Sequence, residues 1–208
     1  MLELRRKAVI SGISLYLVSI IFICYLTFSL RQTSVNEATW SALFWLSILF
    51  ANVTGIAKSF IGEKKGLLMY YYSIASPQAI ILSKIMYNVV LSLALSILGY
   101  GLFSIFISNP VEEIGLFLLT LTLSSFGFSA SLSLISAIAA KTNNSNILMA
   151  VLSFPVIIAL LLMAIKLTKN ALDGLALSAS QDELLNLLAI NSIMVALAYL
   201  LFPYIWRS

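Results

Sequence analysis

Residues 5–30 read RRKAVISGISLYLVSIIFICYLTFSL. Three cations, Arg5, Arg6 and Lys7, stand before a run from Ala8 to Leu30 that carries no charge at all. A cleaved secretory leader has a shorter apolar core and a small-residue cleavage site. This run closes on Thr27-Phe28-Ser29-Leu30, so it reads as a retained helix. Its length suffices for a ~30 Å hydrocarbon core, which takes roughly 20 apolar residues per crossing.

Working outward, five more runs of the same kind follow, at about 39–61, 80–107, 114–140, 147–167 and 184–205. The second opens with Trp40 and Trp45 near one interface and closes at Lys58, and the third begins with an interfacial turn before Lys84. Of the 208 residues, 61% are hydrophobic and 10% charged, with mean hydropathy +1.05. A soluble domain is about 45–50% apolar and about 25% charged because its surface must be wetted. The expectation is an all-α polytopic membrane protein, a single transmembrane domain over 1–208 with six transmembrane helices. No length is left for a separate catalytic or nucleotide-binding domain.

Basic residues in short loops gather on the cytoplasmic side. With both termini and the second and fourth loops inside, that side collects Arg5, Arg6, Lys7, Lys58, Lys64, Lys65, Lys84, Lys141 and Arg207, nine of the twelve basic residues. The other side receives six of the eight acids, Glu37, Glu112, Glu113, Asp173, Asp182 and Glu183. The expected orientation is N-in and C-in.

The chain has no histidine and one cysteine, Cys24. It therefore lacks the material for His-ligated haem, a multi-Cys metal site, a disulfide, or a Ser/His or Cys/His nucleophile pair. Gly62 and Gly66 flank Glu63, Lys64 and Lys65 but lead into Leu67, so there is no phosphate-binding loop, and ATP-driven work would have to be powered by a partner. No ionisable group stands at the centre of a span, which disfavours proton coupling. Lys58, Lys84 and Lys166 lie near helix ends, where they can snorkel. Asn52 and Asn88 are the main strongly polar groups of the second and third spans and read as glue between helices.

Pro77 and Pro110 are placed in loops and Pro203 near the end of the last helix, whereas Pro155 falls inside the fifth span and reads as a structural kink. Its freed carbonyl would turn to a neighbouring helix or to Ser153. The fourth span is rich in small and hydroxylated residues, with Gly127 and Ser131 as a small-xxx-small pair, and tight helix packing is the default reading. The longest cytoplasmic connection, over 62–79, starts charged at Glu63, Lys64, Lys65 and Gly66. It turns aromatic at Tyr70, Tyr71 and Tyr72 and ends at Ser76-Pro77. It suits a short amphipathic helix along the headgroups, serving either as a membrane anchor or as a docking surface for a cytoplasmic partner.

The stretch from Lys58-Ser-Phe-Ile-Gly-Glu-Lys-Lys-Gly66 through Tyr70-Tyr-Tyr-Ser-Ile-Ala-Ser-Pro-Gln-Ala-Ile-Ile-Leu-Ser-Lys84 resembles the first cytoplasmic loop of the CcmB family. These are the membrane subunits of the cytochrome c maturation haem-exporter ABC complex. Ser136-Ala-Ile-Ala-Ala-Lys141, Leu152-Ser-Phe-Pro-Val-Ile-Ile158 and Phe202-Pro-Tyr-Ile-Trp-Arg207 are similar to the family's later helices. The match covers nearly the whole chain, in a variant like that of Bacteroidetes-type bacteria. The resemblance implies an ABC-2-type exporter fold in the bacterial inner membrane, a CcmA-type ATPase subunit, and CcmC- and CcmD-type membrane partners, with a homodimer as a further possibility. It also implies that the loop between the second and third helices, Gly62 to Pro77 here, docks in the ATPase, with Glu63 and Gly66 at the family's acidic and glycine positions. Haem would be cargo and ATP would act through the partner, with no cofactor, metal or nucleic acid held by this chain and no catalytic residue in it. Family members carry a longer lead-in forming an interfacial elbow helix, whereas seven residues precede the first span here, which points to an upstream start or an incomplete chain. Two other readings share the architecture: an ABC-2 exporter of a lipid or glycan, and a membrane scaffold for haem-protein assembly without ATP coupling.

Overall fold

The computed structural model describes residues 2–31, 35–56, 60, 76–142 and 145–207. The elements are α1 (Leu2–Arg31), α2 (Glu37–Ile56), α3 (Pro77–Phe106), α4 (Ile114–Ala139), α5 (Ser145–Leu172), a 3-10 turn (Leu177–Ser180) and α6 (Gln181–Arg207). Among the described residues six helices are long and apolar enough to cross a membrane, and no strand occurs. In hydrocarbon each backbone N–H and C=O must find its partner within the segment, and a helix meets that demand.

Helix ends follow local chemistry more closely than hydropathy does. The third helix starts at Pro77 and not at Ile80, so Pro77 is a helical residue and not a loop residue. Ser76 is its N-cap, and Pro at the first helical position gives up only an N–H that would lack an intrahelical partner. The fifth runs on to Leu172, past the expected Leu167, and Lys166 and Lys169 sit exposed within it. It ends in a Schellman-type turn, with Leu175 N–H donating to Asn170 O at 2.9 Å and Gly174 at φ +67°, where a Cβ would be strained. The last helix starts at Gln181 with Asp182 and Glu183 in its first turn, complementing the positive end of the helix dipole.

The bundle is built around α4, which packs against α2, α3, α5 and α6. In its apolar window 72% of residues are buried, against 17% for α1. Small residues make that central place possible, because no hydrophobic force pulls helices together in lipid and close van der Waals contact must hold them. Two hydroxyls on α4 bond within it: Thr120 Oγ1 donates to Leu116 O at 2.8 Å and Ser129 Oγ to Ser125 O at 2.7 Å.

One end of the bundle is held by aromatics. Trp40 stacks on Phe44 with centroids 5.2 Å apart and meets Phe103 edge-on at 5.7 Å, and Phe44 lies 5.5 Å from Phe117. Trp40 Nε1 donates to Ser108 O at 3.0 Å and Trp45 Nε1 to Thr168 Oγ1 at 2.9 Å. Both tryptophans are therefore interior residues, 0% and 2% exposed, whose rings turn to neighbouring helices at the end of the bundle where the span begins. Each such aromatic pair contributes about 0.5–1.5 kcal/mol beyond the area it buries. The α3–α4 loop joins the same end, with Glu113 N–H donating to Ala171 O at 2.9 Å. The opposite end carries the α2–α3 connection.

Candidate functional site

The connection between α2 and α3 is fastened to the bundle at Phe60 and ends in the capped start of α3. At the leading end, Phe60 is buried and its N–H donates to Ser136 Oγ on α4 at 3.1 Å. Its ring meets that of Phe202 on α6, centroids 5.4 Å apart, and Lys84 Nζ of α3 lies 4.1 Å from its centroid. One residue thus touches three helices. The cation above the ring face is an electrostatic attraction of ~0.5–2 kcal/mol, and it draws the Lys84 head toward Phe60 where snorkelling alone was expected. Ile80, Ile81, Ile85, Ala130, Leu134, Ala137, Met194 and Ala198 complete the apolar cluster around this contact.

At the trailing end, Ser76 holds extended backbone, φ −67° and ψ 147°, and its Oγ accepts from Ala79 N–H at 3.4 Å. The Ser76-Pro77 pair is thus a helix start. Of the residues singled out in the loop, Glu63, Lys64, Lys65, Gly66, Tyr70, Tyr71 and Tyr72 lie outside the described residues, and so does the expected interfacial helix.

Behind these anchors α3 is clamped to α4. Asn88 Nδ2 donates to Ser133 Oγ at 2.7 Å, and Ser96 Oγ shares a hydrogen bond with Ser125 Oγ at 3.1 Å. Eight positions forward on α3 correspond to eight back on α4, the register of two antiparallel helices, with the two bonds about two turns apart. Asn88 thus bridges helices. Asn52 does not: its Nδ2 donates to Ile48 O of its own helix at 2.9 Å. For Asn52 the expected role as glue is corrected on the side of its donor, because the Ile48 carbonyl one turn back takes its N–H.

Gly127 sits where α4, α5 and α6 converge. A Cβ there would lie 2.7 Å from Leu160 Cδ2 of α5 and would collide with Asn191 Oδ1 of α6. Ser131 is fully buried one turn further on. Pro155 lies within α5 on an exposed face, and Ser153 Oγ donates to Ala150 O at 3.2 Å, so Ser153 does not serve the carbonyl that Pro155 frees.

Three residues of the site were quoted in the sequence only as parts of longer stretches and given no role of their own: Phe60, Ser136 as its acceptor, and Phe202. A phenylalanine at the end of an apolar run gives no signal of its own. Asn191 was also missed, although an asparagine inside an apolar run is the same signal that marked Asn52 and Asn88. Among the described residues no group of three or more His, Cys, Asp or Glu is gathered as a metal site. What the arrangement can do is mechanical: a displacement at Phe60 or Ser76 reaches α3, α4 and α6 directly.

The family model described as CcmB protein matches residues 1–203 of the chain. No curated protein and no solved structure matches it.

Proposed function

Since the chain belongs to the CcmB family, whose members are haem-exporter ABC transporter membrane subunits in cytochrome c maturation, we propose that it converts a partner's ATP hydrolysis into movement of its helices through the α2–α3 connection. The partner is a CcmA-type ATPase that seats on residues 62–79, with Glu63, Lys64, Lys65 and Gly66 at the contact and Tyr70, Tyr71 and Tyr72 at the headgroups. The protein lies in the bacterial inner membrane with both termini in the cytoplasm, the side to which its basic residues point. CcmC- and CcmD-type subunits complete the complex. The movement hands haem on or releases a haem-loaded chaperone on the far side.

The observation that carries this reading is the seating of Phe60 against Ser136, Lys84 and Phe202. A loop that only anchored the protein to headgroups would not need its first turn locked into three helices. Force applied to the loop enters α4 through Ser136 and α3 through Ser76 and Pro77, and the Asn88–Ser133 and Ser96–Ser125 bonds keep those two helices moving together. The chain itself transduces force and does not ligate the haem iron.

The test is purification of the tagged protein from its native membranes. An ATPase subunit is expected to come down with it, and Glu63→Lys or Gly66→Trp is expected to release that subunit while the protein stays inserted. Absence of any ATPase, or full retention in both variants, would contradict coupling through this loop. Haem titration of the isolated subunit gives a second check: stoichiometric axial ligation that disappears on mutating a Met or Tyr would make it a haem carrier instead.

A further inference from the structure

Two faces of α4 treat their hydroxyls differently. Toward α3, Ser125 pairs with Ser96 and Ser133 with Asn88, and the orphan between those pairs, Ser92 Oγ, belongs to α3. On the face of Gly127, the buried Oγ atoms of Ser124 and Ser131 have no hydrogen-bond partner, and neither does Asn191 Oδ1. Ser124, Gly127 and Ser131 follow one another at helical spacing of three and four residues, which puts them on one face. Asn191 is 2% exposed, Ser124 1% and Ser131 0%. The Asn191 amide is oriented by its Nδ2, which donates to Leu123 O at 2.9 Å, so its Oδ1 is turned onto Gly127. The strip is closed along α4 by Leu116 and Phe117 on one side and Leu134 and Ile135 on the other, all buried.

Orphaned acceptors are expensive in a low-dielectric interior, and within a bilayer bulk water does not relieve them. A buried water that makes two to four hydrogen bonds is the common remedy. We propose that the junction of α4, α5 and α6 is an occluded hydration site, in which water donates to Asn191 Oδ1 and is held by Ser124 and Ser131. The two serines stand seven residues apart, ~10 Å at 1.5 Å per residue, so a short chain of waters centred on Asn191 spans them where one water does not. With no side chain at Gly127, Asn191 Oδ1 comes down onto α4 between the two serines. Water at this junction lets α5 and α6 part from α4 without stranding Asn191 Oδ1. The inference goes beyond the reading of the loop and depends on neither cargo nor ATPase.

Water-edited solid-state NMR on the unmodified protein in phospholipid vesicles reads this directly. Magnetisation from water is expected to build up on the Asn191 side-chain amide and not on that of Asn88, equally buried but bonded to Ser133. Joint replacement Ser124→Ala and Ser131→Ala is expected to lower the transfer to Asn191. No transfer to Asn191, transfer equal to that of Asn88, or transfer undiminished in the double variant would overturn the assignment.

Discussion

The backbone N–H of Phe60 is bonded to the hydroxyl of Ser136, 3.1 Å away and 76 residues further along the chain. That bond joins the exit of α2 to the last turns of α4, the helix about which the bundle is packed. Removing its acceptor leaves a buried donor unpaired, a penalty of about 1–3 kcal/mol. Ser136→Ala is therefore expected to lower the unfolding midpoint in detergent and to loosen the loop. Faster amide exchange at Phe60 in the variant would register the second effect, and unchanged exchange would refute it.

Truncating Phe60 removes its ring contact with Phe202 and the seat of Lys84. Phe→Ala in a packed site typically destabilises by 3–5 kcal/mol, and about half of that is expected here because the site lies at one end of the bundle. Phe60→Leu keeps the volume and loses the ring face, so it is expected to retain stability and impair coupling. The measurement is ATPase activity of the assembled complex beside thermal stability. Loss of stability with unaltered coupling in both variants would reduce Phe60 to a packing residue.

Asn88 and Ser133 should prove energetically coupled. A double-mutant cycle with Asn88→Ala and Ser133→Ala is expected to give about 0.6 kcal/mol, the average for hydrogen bonds between membrane helices, and at most about 1.7 kcal/mol. Additive effects would show that α3 and α4 are held by packing alone.

Two glycines give opposite expectations. At Gly127 an added methyl meets Leu160 at 2.7 Å as well as Asn191, and such overpacking costs about 1–3 kcal/mol. At Gly101, inside α3, a methyl meets nothing within 4 Å, so Gly101→Ala should stabilise by roughly 0.5–1 kcal/mol through helix propensity. Thermal unfolding of both variants in one detergent compares them directly, and a stabilised Gly127→Ala would disprove the close approach of α5 and α6.

The six spans were legible because membrane insertion imposes a constraint that composition states openly. Helix ends were less so: Pro77 was placed in a loop, when Ser76 before it makes the pair a helix start. The inward turn of Trp40 and Trp45 was not legible, since their place at the head of a span is the same whether they face headgroups or neighbouring helices, and only the partners Ser108 and Thr168 distinguish the two. Asn88 and Asn52 carry the same local signal and end differently because one has Ser133 opposite it and the other turns back to Ile48. The loop's charged and aromatic residues were conspicuous in the sequence. The residues that fasten it, Phe60, Ser136 and Phe202, are ordinary ones whose importance arises from being brought together.

Haem staining for covalent c-type cytochromes, in a strain lacking this gene and in the same strain supplied with the protein or with its Glu63→Lys, Gly66→Trp form, tests the central claim most directly. Loss of stained cytochromes on deletion, recovery with the unaltered protein and no recovery with the inserted loop variant is the expected result. Normal cytochromes in the deletion strain, or full recovery with the loop variant, would contradict the account.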